Sequence, residues 1–433
     1  MAIQALLVIL AVLLVLLFLG VPISYAIAVS SLTAILSSID LNVAVLTAAQ
    51  RTFVGMSKFS LTAIPFFILA GNIMNQGGIA KRLVDFVMAI LGKLPGALLV
   101  TNIGTNALFG AISGSASAAA AAVGSMIRDG AEEQGYDPAV TAATNAASSC
   151  SGLLIPPSNA LITYSLASGG TSVAALFMAG YIPGIIWALC CCAVGVLLAV
   201  KLGYQGTPGR FDWKNLGVCT LRALPSLSLI VVVIGGIIGG VFSATEGSAI
   251  AVVYALVLAF CYRSINLKSL WKIIVDSAKM SGMVVFLVGV SNILGWVMAF
   301  LQIPDAVAAA LLSLTSNKYI ILLIMNVILL ISGTFMDVTP AILIFTPLFL
   351  PICQSFGMST IQFGLILVYN LCIGNITPPV GNALFVGIKV GRTSLSKVMP
   401  YMLMYYAAII AGLLLVTFIP AVSMALPQAM GLV

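Results

Sequence analysis

The chain has 433 residues, 61% hydrophobic and 7% charged, with a mean hydropathy of +1.20 and a formal net charge of +7. Apolar runs near or above ~18 residues recur along its whole length, which excludes a soluble domain and marks a polytopic helical membrane protein. The 18 Lys and Arg are scattered over short loops instead of clustered on one face, which argues against a nucleic-acid partner; there is no histidine, and the eight cysteines follow no metal or disulfide spacing.

Ala2–Gly20 lacks the basic start and small-residue cleavage site of a signal peptide and reads as a first membrane helix. Val21–Ser38 is a second, broken off at Gly20-Val21-Pro22. Asp40–Ser60 is more polar and reads as a helical arm along the membrane surface, and Leu61–Gln76 spans again. Gly77–Pro95 carries Lys81, Arg82 and Lys93. Gly96–Ile112 ends at Ser113-Gly114-Ser115-Ala116-Ser117, and Ala118–Ile127 is too short to span. Together they predict a re-entrant hairpin with Ser113–Ser117 as its tip and the charged Arg128–Pro138 as its base. Ala139–Ser168 is a broken helix, and Ala174–Lys201 leads to the basic loop Lys201–Arg222.

The second half repeats the plan. Leu224–Val241 and Gly247–Cys261 span, with Glu246 between them as a loop or interface residue. Tyr262–Ser281 is a basic arm and Gly282–Leu301 a span. Tyr319–Ser332 climbs to a second tip, Gly333–Pro340, and Ala341–Leu350 returns. Ile361–Ile388 is the second broken helix, and Met399–Val422 ends the fold. Trp187, Trp213, Trp271 and Trp296 read as interface anchors or packing.

The breaks carry the repeat. Cys150, Gly152, Pro156 and Pro157 line up with Cys372, Gly374, Pro378 and Pro379, 222 residues on, and Asn159-Ala160-Leu161 with Asn382-Ala383-Leu384. A Gly followed by a Pro pair must interrupt a helix. Two interruptions at matching places predict a transporter whose site lies at the breaks. Threading the spans by the positive-inside bias puts 15 basic residues, Arg210 among them, in the cytoplasm. It leaves three, Arg51, Lys58 and Lys318, on the other side. In that threading the two hairpins enter from opposite sides, so the halves are inverted repeats.

Half-helix C-termini expose carbonyls, which suit a bare hard cation; N-termini expose N–H groups, which suit a carboxylate. The first tip and break offer Ser113, Ser115, Ser117, Gly152, Ser158 and Asn159. The second offer Thr334, Asp337, Thr339, Gly374, Asn375, Thr377 and Asn382. One carboxylate at membrane depth and no histidine make a poor proton relay, so sodium fits better. Asp337 reads either as the cap of the half-helix it precedes or as a group meeting amine or hydroxyl groups of a substrate.

These tips, the paired Gly-x-x-x-Pro-Pro runs and GGIIGGVFSATEGSAIAVVYAL at Gly235–Leu256 resemble the large membrane subunit of tripartite ATP-independent periplasmic (TRAP) transporters, over essentially the whole chain. The resemblance implies an elevator-type, sodium-coupled symporter in a bacterial inner membrane, with a scaffold and a transport domain. The divisions would be 1–95 and 201–318 for scaffold and arms, and 96–200 and 319–433 for the transport parts. It implies a separate small four-helix membrane subunit, a periplasmic substrate-binding protein, an organic-acid substrate such as a C4-dicarboxylate or a sialic acid, and no cofactor beyond the coupling ions. The tip sequence Met-Asp-Val-Thr-Pro leans toward a sialic acid. Carried onto this chain, the sodium ligands are Ser113, Ser115 and Gly152 for one ion, and Gly333, Thr339, Gly374 and Thr377 for another, with Asp337 and Asn375 beside them. Substrate would meet Ser115, Ser117, Ser158, Asn159, Asp337 and Asn382.

The competing transporter reading is a one-subunit sodium–dicarboxylate carrier of related fold. An enzyme would need a nucleophile with a base, or a metal set, which a chain without histidine and with one mid-membrane carboxylate does not offer. A channel does not need matched hairpins from opposite sides.

Overall fold

The computed structural model describes residues 2–206, 212–315 and 317–433, and all regular secondary structure among them is helical. Arg210, one of the predicted cytoplasmic cations, lies outside the described residues. The chain opens with α1 (Ala2–Phe18) and α2 (Ile23–Ile35), joined at a left-handed Gly20 and Pro22. The predicted span Val21–Ser38 is cut to 13 residues by Pro22 at one end and polar turn residues at the other. That is about 20 Å of helix, short of the ~30 Å hydrocarbon core.

The first arm is α3 (Leu41–Met56). After a 3₁₀ turn at Phe59–Thr62, α4 (Ala63–Gln76) leaves at 61°. Pro65 lies in the first turn of α4, where its missing N–H leaves no helical bond unmade. An amphipathic α5 (Ile79–Leu91) follows.

The first hairpin is α6 (Ala97–Ser113) and α7 (Ala116–Glu133), turning at Gly114 in the left-handed region that glycine adopts without strain. α7 outruns the predicted Ala118–Ile127. Arg128 reaches Asp129 at 2.6 Å and Glu132 at 3.9 Å, so the charges expected at the hairpin base belong to the end of this helix. The first broken helix is α8 (Pro138–Ser149), α9 (Ser151–Leu154) and α10 (Asn159–Ala167), and α11 (Val173–Leu202) runs back.

In the second half come α12 (Trp213–Ile238), α13 (Ala244–Cys261) and α14 (Leu267–Phe300). Glu246 is the third residue of α13 and closes a capping box with Ser243. The predicted arm Tyr262–Ser281 and span Gly282–Leu301 are not separate: after the Tyr262–Asn266 turn, both run on in the 34-residue α14. Only Gly282 stands between them, and an isolated glycine costs about 1 kcal/mol without ending a helix. An unpredicted α15 (Ile303–Leu314) carries Pro304 in its first turn. The second hairpin is α16 (Lys318–Phe335) and α17 (Val338–Ser355), turning at Met336-Asp337. The second broken helix is α18 (Thr360–Asn375) and α19 (Asn382–Val390). Then come α20 (Leu395–Phe418) and α21 (Pro420–Ala429), Pro420 dividing the predicted Met399–Val422. Among the described residues seven helices are long and apolar enough to cross a membrane, or eight if the bent α3–α4 pair is one span.

The helices pack in two groups. α14 is the spine of one, against α2, α3 and α4, with α13 on α4 and α12 on α5. In the other, α11 lies against α6, α18 and α20, while α19 covers α7 and α8. Trp187 is fully buried there, donating to the Ala147 carbonyl at 2.8 Å with its ring 4.9 Å from Tyr369, so it is packing; Trp213 and Trp271 are exposed. The groups meet where α5 and α4 touch α6, α4 touches α10, and α14 touches α17.

In both halves the hairpin arm meets the helix before the break backbone to backbone. A Cβ on Gly152 would lie 2.2 Å from Gly110 Cα, and one on Gly374 would lie 2.5 Å from Gly333 Cα. Gly152→Ala and Gly374→Ala are therefore expected to lose ~1–3 kcal/mol or more by overpacking. Gly130→Ala, with nothing within 4 Å, should not be destabilised. Thermal unfolding of the purified chain in detergent reads the difference, and equal midpoints for all three would reject the close contact.

Candidate functional site

Both tips and both breaks converge on one cavity of about 150 Å³. Its wall includes Gly114, Ser115 and Ser117 of the first tip and Asn159 of the first break. Asp337 and Thr339 of the second tip and Asn375 and Asn382 of the second break complete the polar set. Four half-helices, α7, α10, α17 and α19, begin at this wall. Each N-terminus leaves N–H groups unpaired and carries roughly half a positive charge. α18 ends here as well, at Asn375, bringing carbonyls. The cavity therefore offers donors to an anion and oxygens to a cation within one space.

The tips are capped by equivalent residues of different chemistry. Ser115 Oγ accepts from the Ala118 N–H at 3.3 Å and lies 3.2 Å from Ser117 Oγ. Asp337 Oδ1 accepts from the Val338 N–H at 2.9 Å. Asp337 stands 222 residues after Ser115, and Thr339 222 after Ser117, the same offset that relates Cys150 to Cys372. The cap of α17 thus places a carboxylate where the first tip has a hydroxyl, and that carboxylate also faces the cavity.

Two amides are half-spent. Asn159 donates to the Gly114 carbonyl at 3.4 Å, and Asn375 points its Nδ2 at Cys150 Sγ, 3.9 Å away. The Oδ1 atoms of both are buried without a partner. An unpaired buried acceptor costs about 1–3 kcal/mol, and both amides belong to residues of the cavity wall.

Other residues singled out in the sequence sit behind this wall. Ser158 is fully buried; its hydroxyl donates to the Leu153 carbonyl and accepts from the Leu161 N–H at 3.4 Å, bridging the first break. Ser113 Oγ donates to the Ser115 carbonyl at 3.4 Å. Gly152, Gly333 and Gly374 make the backbone contacts described above. Thr377 and Thr334 each turn back on their own helix at 2.7 Å, and the Val380 N–H donates to the Thr334 carbonyl, tying the second break to its tip. The breaks also touch each other: Cys372 Sγ lies 3.9 Å from the Cys150 carbonyl.

A buried amide network beside the tips was not anticipated. Asn106 donates to Asn102 at 2.7 Å, Ser148 at 2.8 Å and Asn145 at 3.1 Å. In the second half Asn370 donates to Asn326 at 2.8 Å, and Asn326 to Thr417 at 3.0 Å. Asparagines inside apolar runs were the available signal. Ile64, Ile68, Met280 and Val284, which close the cavity from the α4 and α14 side, gave none.

Residues 10–422 match the family model for the DctM component of tripartite ATP-independent periplasmic transporters. The chain belongs to the DctM family. It is 50% identical over 94% of both chains to the uncharacterized protein YgiK of Salmonella typhimurium. It is 37% identical to the C4-dicarboxylate TRAP transporter large permease protein DctM of Pseudomonas aeruginosa, covering 93% of each. To the sialic acid TRAP transporter large permease protein SiaM of Vibrio cholerae it is 32% identical, over 95% of this chain and 96% of that one. In fold it matches the crystal structure of the YdaH transporter of Alcanivorax borkumensis, with a TM-score of 0.62 over 88% of both chains at 15% identity. This DctM permease is accordingly a multi-pass protein of a bacterial inner membrane and a transport component, not an enzyme. Its family works with a substrate-binding protein and a small permease, which sets aside the one-subunit carrier.

The cap assignment is testable apart from transport. Asn and Asp cap about equally well, so Asp337→Asn should keep the thermal midpoint, while Asp337→Ala should lose about 1 kcal/mol. If both variants melt as the parent does, the hydrogen bond to Val338 contributes nothing.

Proposed function

We propose that this permease imports an organic acid in symport with sodium, the acid being handed over by a periplasmic binding protein. The single observation that carries this reading is the meeting of four half-helix N-termini and two unpartnered amide oxygens, Asn159 Oδ1 and Asn375 Oδ1, at one cavity. The N–H ends suit a carboxylate and the oxygens suit a hard cation. One sodium is assigned to Ser113, Ser115 and Gly152, and the other to Gly333, Thr339, Gly374 and Thr377, with Asp337 and Asn375 beside it. The substrate meets Ser115, Ser117, Asn159, Asp337 and Asn382. Ser158 takes part by holding the first break. Relatives named for C4-dicarboxylates and for sialic acid both carry carboxylates; Asp337 favours a substrate that also offers hydroxyl or amine groups, as a sialic acid does.

The hairpins and broken helices form a transport body that moves as an elevator against the α14 spine, with the two halves as inverted repeats. The 61° bend between α3 and α4 supplies one flexible joint. The unbroken α14 has no equivalent within it, so its joint falls at the Tyr262–Asn266 turn, where Arg263 has a positive φ. A small four-helix permease joins as a separate chain.

Uptake into proteoliposomes holding this chain and its small permease, with the binding protein outside, should require an inward sodium gradient. Losing one ligand oxygen in Ser115→Ala or Thr339→Ala removes ~1 kcal/mol of ion binding and should raise half-saturating sodium about fivefold. Normal sodium dependence in both variants would reject the ion sites, and uptake driven by protons without sodium would reject the coupling.

A further inference from the structure

A second cavity, of about 350 Å³, lies farther along three helices that also wall the first, α10, α14 and α17. On α14, Met280 and Val284 face the central cavity, and Val288, Ser291, Gly295 and Ala299 face the second. These positions recur every three or four residues, so they form one stripe. On α17 the wall passes from Val338 and Thr339 to Leu343 and Pro347, and on α10 from Asn159 and Thr163 to Leu166 and Ala167. Thr339 to Pro347 is about 12 Å of helix. The far end is walled by Arg51 of α3 and by Lys58 at the bend.

Those two cations have no acidic counterpart. None of the residues lining the cavity is acidic, and neither cation has an ion-pair partner among the described residues. The Arg51 guanidinium lies over the Trp296 ring, 5.6 Å from its centroid. That stacking leaves the in-plane N–H fork free for a carboxylate. Both belong to the three basic residues that the charge bias leaves on the non-cytoplasmic side. A cleft with low-dielectric walls and one sign of charge concentrates counter-ions.

We propose that the chamber of Arg51, Lys58 and Trp296 is a second, outer anion subsite, in which the carboxylate of the organic acid rests between release by the binding protein and arrival at the central cavity. This rests on reading the central cavity as an organic-acid site. The outer chamber recognises only the carboxylate, through two cations and an aromatic face. The central one adds the hydroxyl and amide groups that choose among acids. Arg51 is a binding residue of the approach path and does not contact the central site.

Trp296 is a reporter inside the chamber. Its fluorescence is taken as the difference between the full chain and its Trp296→Phe variant, in neutral detergent without sodium. Iodide should quench it about tenfold more steeply than caesium. Succinate, as a dicarboxylate probe, should protect against iodide. The double variant Arg51→Gln/Lys58→Gln should lose the preference, and the charge-keeping Arg51→Lys/Lys58→Arg should keep it, which separates charge from misfolding. Equal quenching by the two ions, a preference that survives in the double glutamine variant, or no protection by succinate would overturn the proposal. So would a double variant that quenches like the parent but no longer docks the binding protein, since the cations would then serve a protein contact. This readout needs neither sodium nor transport. A null result beside intact sodium-driven uptake removes the outer subsite alone, and normal quenching beside sodium-independent uptake removes the coupling alone.

Discussion

Non-helical backbone at membrane depth has to find its hydrogen-bond partners inside the protein, because lipid supplies none. Everything distinctive in this permease follows from meeting that demand four times, at two hairpin tips and two helix breaks. The tips are capped by Ser115 and Asp337. The first break is bridged by Ser158, and each break is tied to its tip by one bond, Asn159 to Gly114 and Val380 to Thr334. Glycine pairs let the hairpin arms approach until backbones touch, and the breaks rest on one another at Cys150 and Cys372.

The same arrangement gives the cavity its double character. A helix interrupted in mid-membrane ends in carbonyls and restarts in N–H groups, so each interruption brings both polarities to one place. Sodium and a carboxylate bound together would satisfy both and screen each other. That mutual dependence is the simplest physical basis for coupling, since an ion that raises the affinity for the anion must be held more tightly in its presence. Asp337 breaks the symmetry between the halves by putting charge where Ser115 has a hydroxyl. The cavity walled by Arg51 and Lys58 has the opposite sign and lies farther along α10, α14 and α17.

Much of this was legible before any coordinates. The order of elements, both tips and both breaks stand where the apolar runs, the Ser/Gly cluster and the Gly-x-x-x-Pro-Pro runs put them, because local backbone chemistry alone requires an interruption there. The differences lie elsewhere. The arm and span fused in α14 since Gly282 by itself does not end a helix, and α15 and α21 went unseen behind Pro304 and Pro420. Val21–Ser38 is shorter as a helix than its hydropathy suggests, because Pro22 and the polar turn after Ile35 bound it.

The sequence by itself determined that the chain crosses a membrane many times, that two places in it cannot be helical, and which polar residues lie beside those places. Only the tertiary structure decided which of them face one another. Ser115, Asn159, Asp337, Thr339, Asn375 and Asn382 share a wall, while Ser113, Ser158, Gly152, Gly374 and Thr377 stand behind it. Periodicity reports what a residue's own helix does. Whether its side chain meets a cavity or a neighbouring backbone depends on segments more than 200 residues away, and no local pattern carries that distance.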